Sequence, residues 1–235
     1  MRRTPALIPV SAFALALVLA SAGCSTGPSA TQIADDMWAA VSTPAASAGS
    51  LPVGDKWAGG HSVGMRLAVP GRWVTVGSVA LPKVLHDVNL GKLGSPGLTA
   101  LVPGLRRPGS LDLADPGPAT GGAAPSRFLA NISLYCAPAH FPPGTNPVTG
   151  LSTIAEKEFA AVNPNSAQIG QTTVDGRPAL LVYDEVSVAS RTVTGLQYAI
   201  AAPAGRVCYV TLVTQQPTQY EPVFARLRPG IRVLP

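Results

Sequence analysis

Charged residues are scarce in this chain. Asp, Glu, Lys and Arg make up 12% of the 235 residues, about half of the share that is usual in soluble proteins. Without Arg2 and Arg3, the chain has 15 basic and 12 acidic residues, which gives a net charge of about +3. Such a small excess of positive charge, without a long run of basic residues, is not typical of a nucleic-acid-binding protein.

Histidines are few and isolated. His61, His86 and His140 show no H-x-H or H-x-x-x-H spacing, so the sequence predicts no metal site and no cofactor. The His86-Asp87 dipeptide is the nearest approach to a catalytic pair, but neither a G-x-S-x-G nor an S-x-x-K motif accompanies it. No catalytic residue is therefore predicted.

Long apolar runs are missing too, and the longest lies at the N terminus. After Arg2 and Arg3, residues 6–20 form an apolar stretch, which is shorter than the roughly 18–20 residues that cross a bilayer. Small residues then lead to Cys24. This order is typical of a bacterial lipoprotein signal, so we predict a signal peptide at residues 1–23 and acylation of Cys24.

Acylation of Cys24 would hold the exported protein on the outer face of the cell membrane by its N-terminal lipid. Each buried methylene contributes about 0.8 kcal/mol, so several acyl chains, palmitate among them, anchor a protein essentially permanently. Residues 20–22 (Ala-Ser-Ala) also fit the cleavage site of a freely secreted protein, and this alternative stays open.

The three cysteines favour the lipoprotein alternative. If Cys24 is acylated, Cys136 and Cys208 remain as a pair, whereas a secreted protein would carry an odd thiol. Both residues lie in predicted strands, and exported proteins form disulfides. We therefore predict a disulfide between Cys136 and Cys208, with two buried free thiols as the alternative.

The mature chain of about 212 residues suffices for one domain and a tether. Residues 24–60 are predicted to be a tether with one candidate helix at 31–41, and residues 61–235 a single domain. Within that domain, Gly and Pro concentrate at about residues 91–125, which indicates an insertion without regular structure.

The apolar pattern of the domain alternates between a period of two and helical spacing. Strands are predicted at 63–69, 73–76, 128–136, 167–173, 178–188, 195–202, 207–214 and 231–234. Helices are predicted at 82–93, 149–162 and 220–227. This order indicates an α+β fold, in which helices pack on an antiparallel sheet.

Three segments resemble one known family. They read R-L-A-V-P-G-R-W at 66–73, T-V-D-G-R-P-A at 173–179 and V-C-Y-V-T-L at 207–212. With the elements around them they resemble the LpqN/LpqT family of actinobacterial envelope lipoproteins, over about residues 61–235. The resemblance implies a PsbP-like α/β/α sandwich and a non-enzymatic role in binding envelope lipids or partner proteins. It supplies no catalytic residues.

A weak candidate surface for a ligand or partner lies in the proline-rich loops. Its apolar residues are numerous for segments that prolines interrupt, and we expect them to line a groove or a partner surface if the core does not bury them. They are Leu98, Leu101, Val102, Leu105 and Phe141.

These observations together predict a membrane-anchored, extracytoplasmic binding module for envelope lipids or envelope proteins. Two alternatives stay open. One is an envelope hydrolase whose site is assembled from His86, Asp87 and a serine. The other is a structural assembly factor without a small ligand.

Overall fold

The computed structural model describes residues 51–77, 109–117, 127–139, 141, 145–159, 168–188 and 191–235. The strands in these ranges are β1 (Asp55–Gly60), β2 (Met65–Pro70), β3 (Val74–Thr75), β4 (Leu111–Asp115), β5 (Ala130–Pro138), β6 (Gln168–Val174), β7 (Arg177–Val188), β8 (Arg191–Ala202), β9 (Arg206–Thr214) and β10 (Ile231–Val233). The helices are α1 (Pro147–Phe159) and α2 (Pro217–Gly230). Neither helix is both apolar enough and long enough to span a bilayer.

Two antiparallel sheets organise the described residues. The small sheet has the order β1-β2-β10, and the large sheet has the order β3-β4-β5-β9-β8-β7-β6. Asp175 and Gly176 form the turn between β6 and β7, with positive φ angles of 51° and 71°. A turn of this kind matches the twist of a hairpin, so the Asp-Gly signal in the sequence is confirmed.

The main core lies between the two sheets. Met65, Leu67 and Val69 on β2 are fully buried there, while Arg66 and Ala68 alternate with them on the outer face. The predicted period of two in this strand is thus confirmed. Helix α2 closes the same core. Its buried apolar residues are Tyr220, Val223, Phe224 and Leu227.

The other face of the large sheet carries a second apolar cluster. Helix α1 packs over β7 and β8 on this side, and its Leu151 belongs to one cluster with Leu180 and Val182. Tyr135 and Tyr209 are directly paired on β5 and β9 and stack with ring centroids 4.8 Å apart. The layers are therefore α1, the large sheet, and the small sheet together with α2.

Two strands lie where the sequence predicts none. Residues 55–60 fall within the predicted tether at 24–60, yet they form β1, which pairs with β2 along its whole length. Residues 111–115 fall within the predicted insertion at 91–125, yet they form β4 inside the large sheet. The assignment of these residues to a tether and to an irregular insertion is therefore wrong. The strands were missed because neither shows a clear alternation of apolar and polar residues: β1 buries only Ala58, and β4 buries polar residues as well.

The predicted α/β/α sandwich is confirmed only as an antiparallel sheet with helices packed on it. The described residues are mainly antiparallel sheet. One face of the large sheet is covered by the small sheet together with α2, and not by helices alone. The helix predicted at 149–162 is confirmed as far as residue 159, and the one at 220–227 is part of α2. The helices predicted at 31–41 and 82–93 lie outside the described residues.

Candidate functional site

The outer face of the small sheet carries an exposed tryptophan. Trp57 on β1 lies directly opposite Ala68 on β2, and 37% of its surface is exposed. A tryptophan normally contributes a large apolar area to a core or an interface. Since its cross-strand neighbour is only an alanine, much of the Trp57 ring remains uncovered.

Two arginines lie close to the Trp57 ring. Arg66 on β2 and Arg232 on β10 are directly opposed across the small sheet. Their guanidinium carbons lie 4.6 Å and 6.0 Å from the centroid of the ring, which is the range of cation–π contacts. We call the outer surface formed by Trp57, Arg66, Ala68 and Arg232 the Trp57 face.

A small, mainly apolar cavity of about 50 Å³ opens beside the Trp57 ring. Gly230, where α2 ends, allows the helix to approach β2 closely, because a Cβ atom at this position would lie 3.1 Å from the Cβ of Ala68. The residues that line the cavity are Leu51, Pro52, Asp55, Trp57, Ala68, Arg226, Pro229, Gly230 and Arg232.

The positive charge of the Trp57 face is only partly balanced. Arg226 approaches Asp55 to 3.7 Å, and the Asp55 side chain is itself nearly buried. Arg232 approaches Asp175 to 3.9 Å and donates to two backbone carbonyls at 2.7 Å. Within the described ranges, no carboxylate pairs with Arg66. The exposed charge of this surface is therefore positive.

The Trp57 face offers groups that bind rather than groups that react. The described residues that line its cavity include no serine, cysteine, histidine or lysine, and so they supply no hydroxyl, thiol or amine nucleophile with an adjacent base. No cluster of three His, Cys, Asp or Glu side chains that could hold a metal occurs among the residues that the structure describes. The guanidinium groups and the indole ring suit an anionic group joined to an apolar one.

A second notable feature is a row of polar side chains on the α1 side of the large sheet. Asp112, Ser133, Thr211 and Gln197 occupy directly paired positions on β4, β5, β9 and β8, and all four are buried. Gln197 donates to the Thr211 hydroxyl at 3.0 Å. The Oδ1 atoms of Asp112 and Asn131 and the Ser133 hydroxyl have no hydrogen-bond partner in the described part of the chain. Such groups lower stability, because they lose their bonds to water on folding.

Two aspartates of β4 experience opposite electrostatic environments. Burial raises the pKa of Asp112 to about 6, and the nearby Ser133 hydroxyl counteracts this shift only in part. Asp115 lies on the other face of the sheet, where burial alone would raise its pKa. Hydrogen bonds from Arg72 at 2.6 Å, from Tyr220 at 2.7 Å and from a backbone N–H outweigh burial and lower the pKa of Asp115.

Two of the predicted features can be located in the structure. Cys136 and Cys208 form the predicted disulfide across β5 and β9, and their Cα atoms are 4.0 Å apart. Phe141 is half-buried and packs against Gly150 and the second apolar cluster, so only part of its ring could contact a partner. The other predicted residues lie outside the described ranges. They are Cys24, His86, Asp87, Leu98, Leu101, Val102, Leu105 and His140.

The sequence did not single out the residues of the Trp57 face. One signal was present, because Arg66 and Ala68 occupy the outer positions of a strand with a clear period of two. Their partner Trp57 fell within the predicted tether, so the pattern could not place it opposite them.

Comparison with known proteins identifies no relative by sequence. No family model matches the chain, and no curated protein matches it.

Several solved structures show weak similarity. LpqN of Mycobacterium tuberculosis, described as involved in cell envelope biogenesis, is 14% identical with a TM-score of 0.42, over 73% of this chain and 83% of that one. The PsbP protein of Synechocystis is 13% identical with a TM-score of 0.42, over 81% of this chain and 99% of that one. A protein of Bacteroides thetaiotaomicron is 6% identical with a TM-score of 0.41, over 74% of this chain, which spans only 46% of that protein. Similarities of this size support no conclusion on family or function, so the LpqN/LpqT resemblance stays a prediction.

Proposed function

We propose that this protein is a membrane-anchored, extracytoplasmic binding module without catalytic activity, and that it binds envelope lipids or envelope proteins through the Trp57 face. The observation that carries the proposal is the exposed Trp57 ring, whose centroid lies 4.6 Å and 6.0 Å from the guanidinium carbons of Arg66 and Arg232, beside an apolar cavity. This arrangement can recognise a ligand, and the described residues that line the cavity include no serine, cysteine or histidine that would act on one.

The path of the chain also supports the assignment of the Trp57 face as the binding surface. Leu51 and Pro52 are the first residues that the structure describes, and both line the cavity, so the described part of the chain begins at the Trp57 face. If Cys24 is acylated, the membrane anchor precedes this point in the chain. Ligands at the membrane surface would then be within reach of the Trp57 face.

Site-specific photo-cross-linking tests this proposal. A photoreactive amino acid is placed at Val53, which is fully exposed and lies two residues before β1, in the full-length chain expressed in a bacterium that processes lipoproteins. The matched control carries it at Ile169, which is also exposed but lies on β6 in the large sheet. We expect a lipid or protein adduct from position 53 only, and we expect Trp57→Ala to abolish it. Equal adducts from both positions, or no effect of Trp57→Ala, would contradict the proposal.

A further inference from the structure

We infer that the Trp57 face binds the phosphate-bearing headgroups of anionic lipids in the bilayer surface, an inference that rests on the function proposed above. Arg66 and Arg232 contact the headgroup phosphates, and Trp57 lies at the boundary between headgroups and acyl chains. The function proposed above names envelope lipids or proteins in general and does not specify this headgroup. Three observations point to it.

The first observation is the arginine pair. Arg66 and Arg232 occupy directly opposed positions on β2 and β10, where like charges repel each other and weaken strand pairing. Arg232 has a carboxylate at 3.9 Å, whereas none of the described carboxylates pairs with Arg66. An external anion between the two guanidinium groups would remove this repulsion, and phosphate matches the geometry of their N–H donors.

The second observation is the position of Trp57 beside these charges. Indole rings favour the membrane interface, because the ring is apolar and its N–H stays in contact with polar groups. Arginine combines an apolar stem with a charged end and suits the same depth. Val53, which is fully exposed, adds a further apolar side chain two residues before β1. A soluble anion would need the arginines but would gain little from these apolar groups.

The third observation is the placement of the neighbouring carboxylates. Asp55 is 6% exposed and faces Arg226 at 3.7 Å. Asp175 is 28% exposed and accepts a hydrogen bond from the backbone N–H of Val233 at 2.9 Å. Both acidic groups are therefore engaged by the protein itself. The charge that an approaching bilayer would meet comes from arginine, which complements the negative surface of anionic lipids.

Vesicle co-sedimentation tests the inference on the mature, oxidised chain from residue 24 onward, carrying Cys24→Ser so that no acyl anchor contributes. Phosphatidylcholine vesicles with and without phosphatidylglycerol serve as the probe, at low and high salt. We expect binding at least about tenfold stronger to the anionic vesicles, reduced by salt because exposed charges are screened. Arg66→Gln should weaken binding about fivefold, and Trp57→Ala should weaken it further.

Arg127→Gln is the matched control, since Arg127 is an exposed arginine of the large-sheet region and its replacement removes the same charge. It should bind anionic vesicles like the unsubstituted chain, and circular dichroism confirms that each variant is folded. An equal loss for Arg127→Gln and Arg66→Gln would overturn the inference, because it would indicate diffuse attraction. Displacement by inorganic phosphate beyond that by chloride of equal ionic strength would overturn it as well and assign the site to a free anion.

The outcomes separate the inference from the function on which it rests. If Trp57→Ala weakens binding to neutral and anionic vesicles equally and Arg66→Gln has no effect, the Trp57 face is a binding surface without headgroup selectivity. The inference then fails while the proposed function stands. If no vesicle is bound and the cross-linker at position 53 captures nothing, both fail.

Discussion

Replacing both Cys136 and Cys208 by alanine is expected to lower the free energy of unfolding by about 4 kcal/mol. The disulfide closes a loop between residues 72 apart in sequence, and an open loop of this size gives the unfolded chain more conformational freedom. The two cysteines are directly paired on the adjacent strands β5 and β9, so the bond joins neighbours that the sheet already holds together. Thermal denaturation should show a melting temperature lower by roughly 10 °C.

Reduction of the unsubstituted protein is the matched control for this variant. It breaks the same bond but keeps both sulfur atoms, and therefore leaves no void at the fully buried Cys208. The reduced protein and the double alanine variant should unfold within about 1 kcal/mol of each other. If reduction leaves the unfolding transition where it is, the closure of this loop does not stabilise the domain.

Replacing Asp112 by asparagine is expected to stabilise the protein above neutral pH and to have little effect near pH 4. The pKa of Asp112 is raised to about 6 in the folded state, compared with about 3.9 in an unfolded chain. Between these values the folded state binds more protons than the unfolded state, so stability falls as pH rises through this window. The loss is on the order of 3 kcal/mol. Asparagine keeps the shape of the neutral carboxyl and removes the cost of its ionisation.

Chemical denaturation of both proteins across this pH range measures the effect. Asp115→Asn is the contrasting control, because Asp115 belongs to the same strand and lies on the opposite face, with a lowered pKa. Its carboxylate is stabilised by Arg72 and Tyr220, so this stabilisation is present at neutral pH and is lost as pH falls through the folded pKa. Asp115→Asn should therefore destabilise the protein at neutral pH. An unchanged pH profile in Asp112→Asn would show that this carboxyl is not buried as described.

The parts of the fold that could be predicted from the sequence have local signals. The alternation of residues 63–69 identified β2, and the Asp-Gly dipeptide at 175–176 located the hairpin of β6 and β7. The partition into two sheets could not be predicted, because it depends on which strands pair over long distances. β10 follows α2 directly, yet it joins β2 rather than β9, and no local pattern encodes that choice.

The candidate site was missed because β1 lacks a clear alternation and because β10 is distant in sequence. Its main residues come from one hairpin and a distant strand, with Trp57 on β1, Arg66 on β2 and Arg232 on β10. Each residue alone is an ordinary surface residue in the sequence. They become a site only because strand pairing places them on one face. The disulfide was easier to predict, since export and the count of cysteines restrict the pairing without knowledge of the sheet.

Fluorescence quenching by lipids with brominated acyl chains tests most directly whether the anchored protein presents its Trp57 face to the membrane. The acylated chain, in a Trp38→Phe background, is reconstituted in anionic vesicles, where the fully buried Trp73 serves as an internal reference. We expect brominated lipids to quench a large part of the emission, and we expect this part to vanish in the Trp57→Phe variant. Equal quenching with and without Trp57, or none in either, would contradict the assignment of this surface to the membrane.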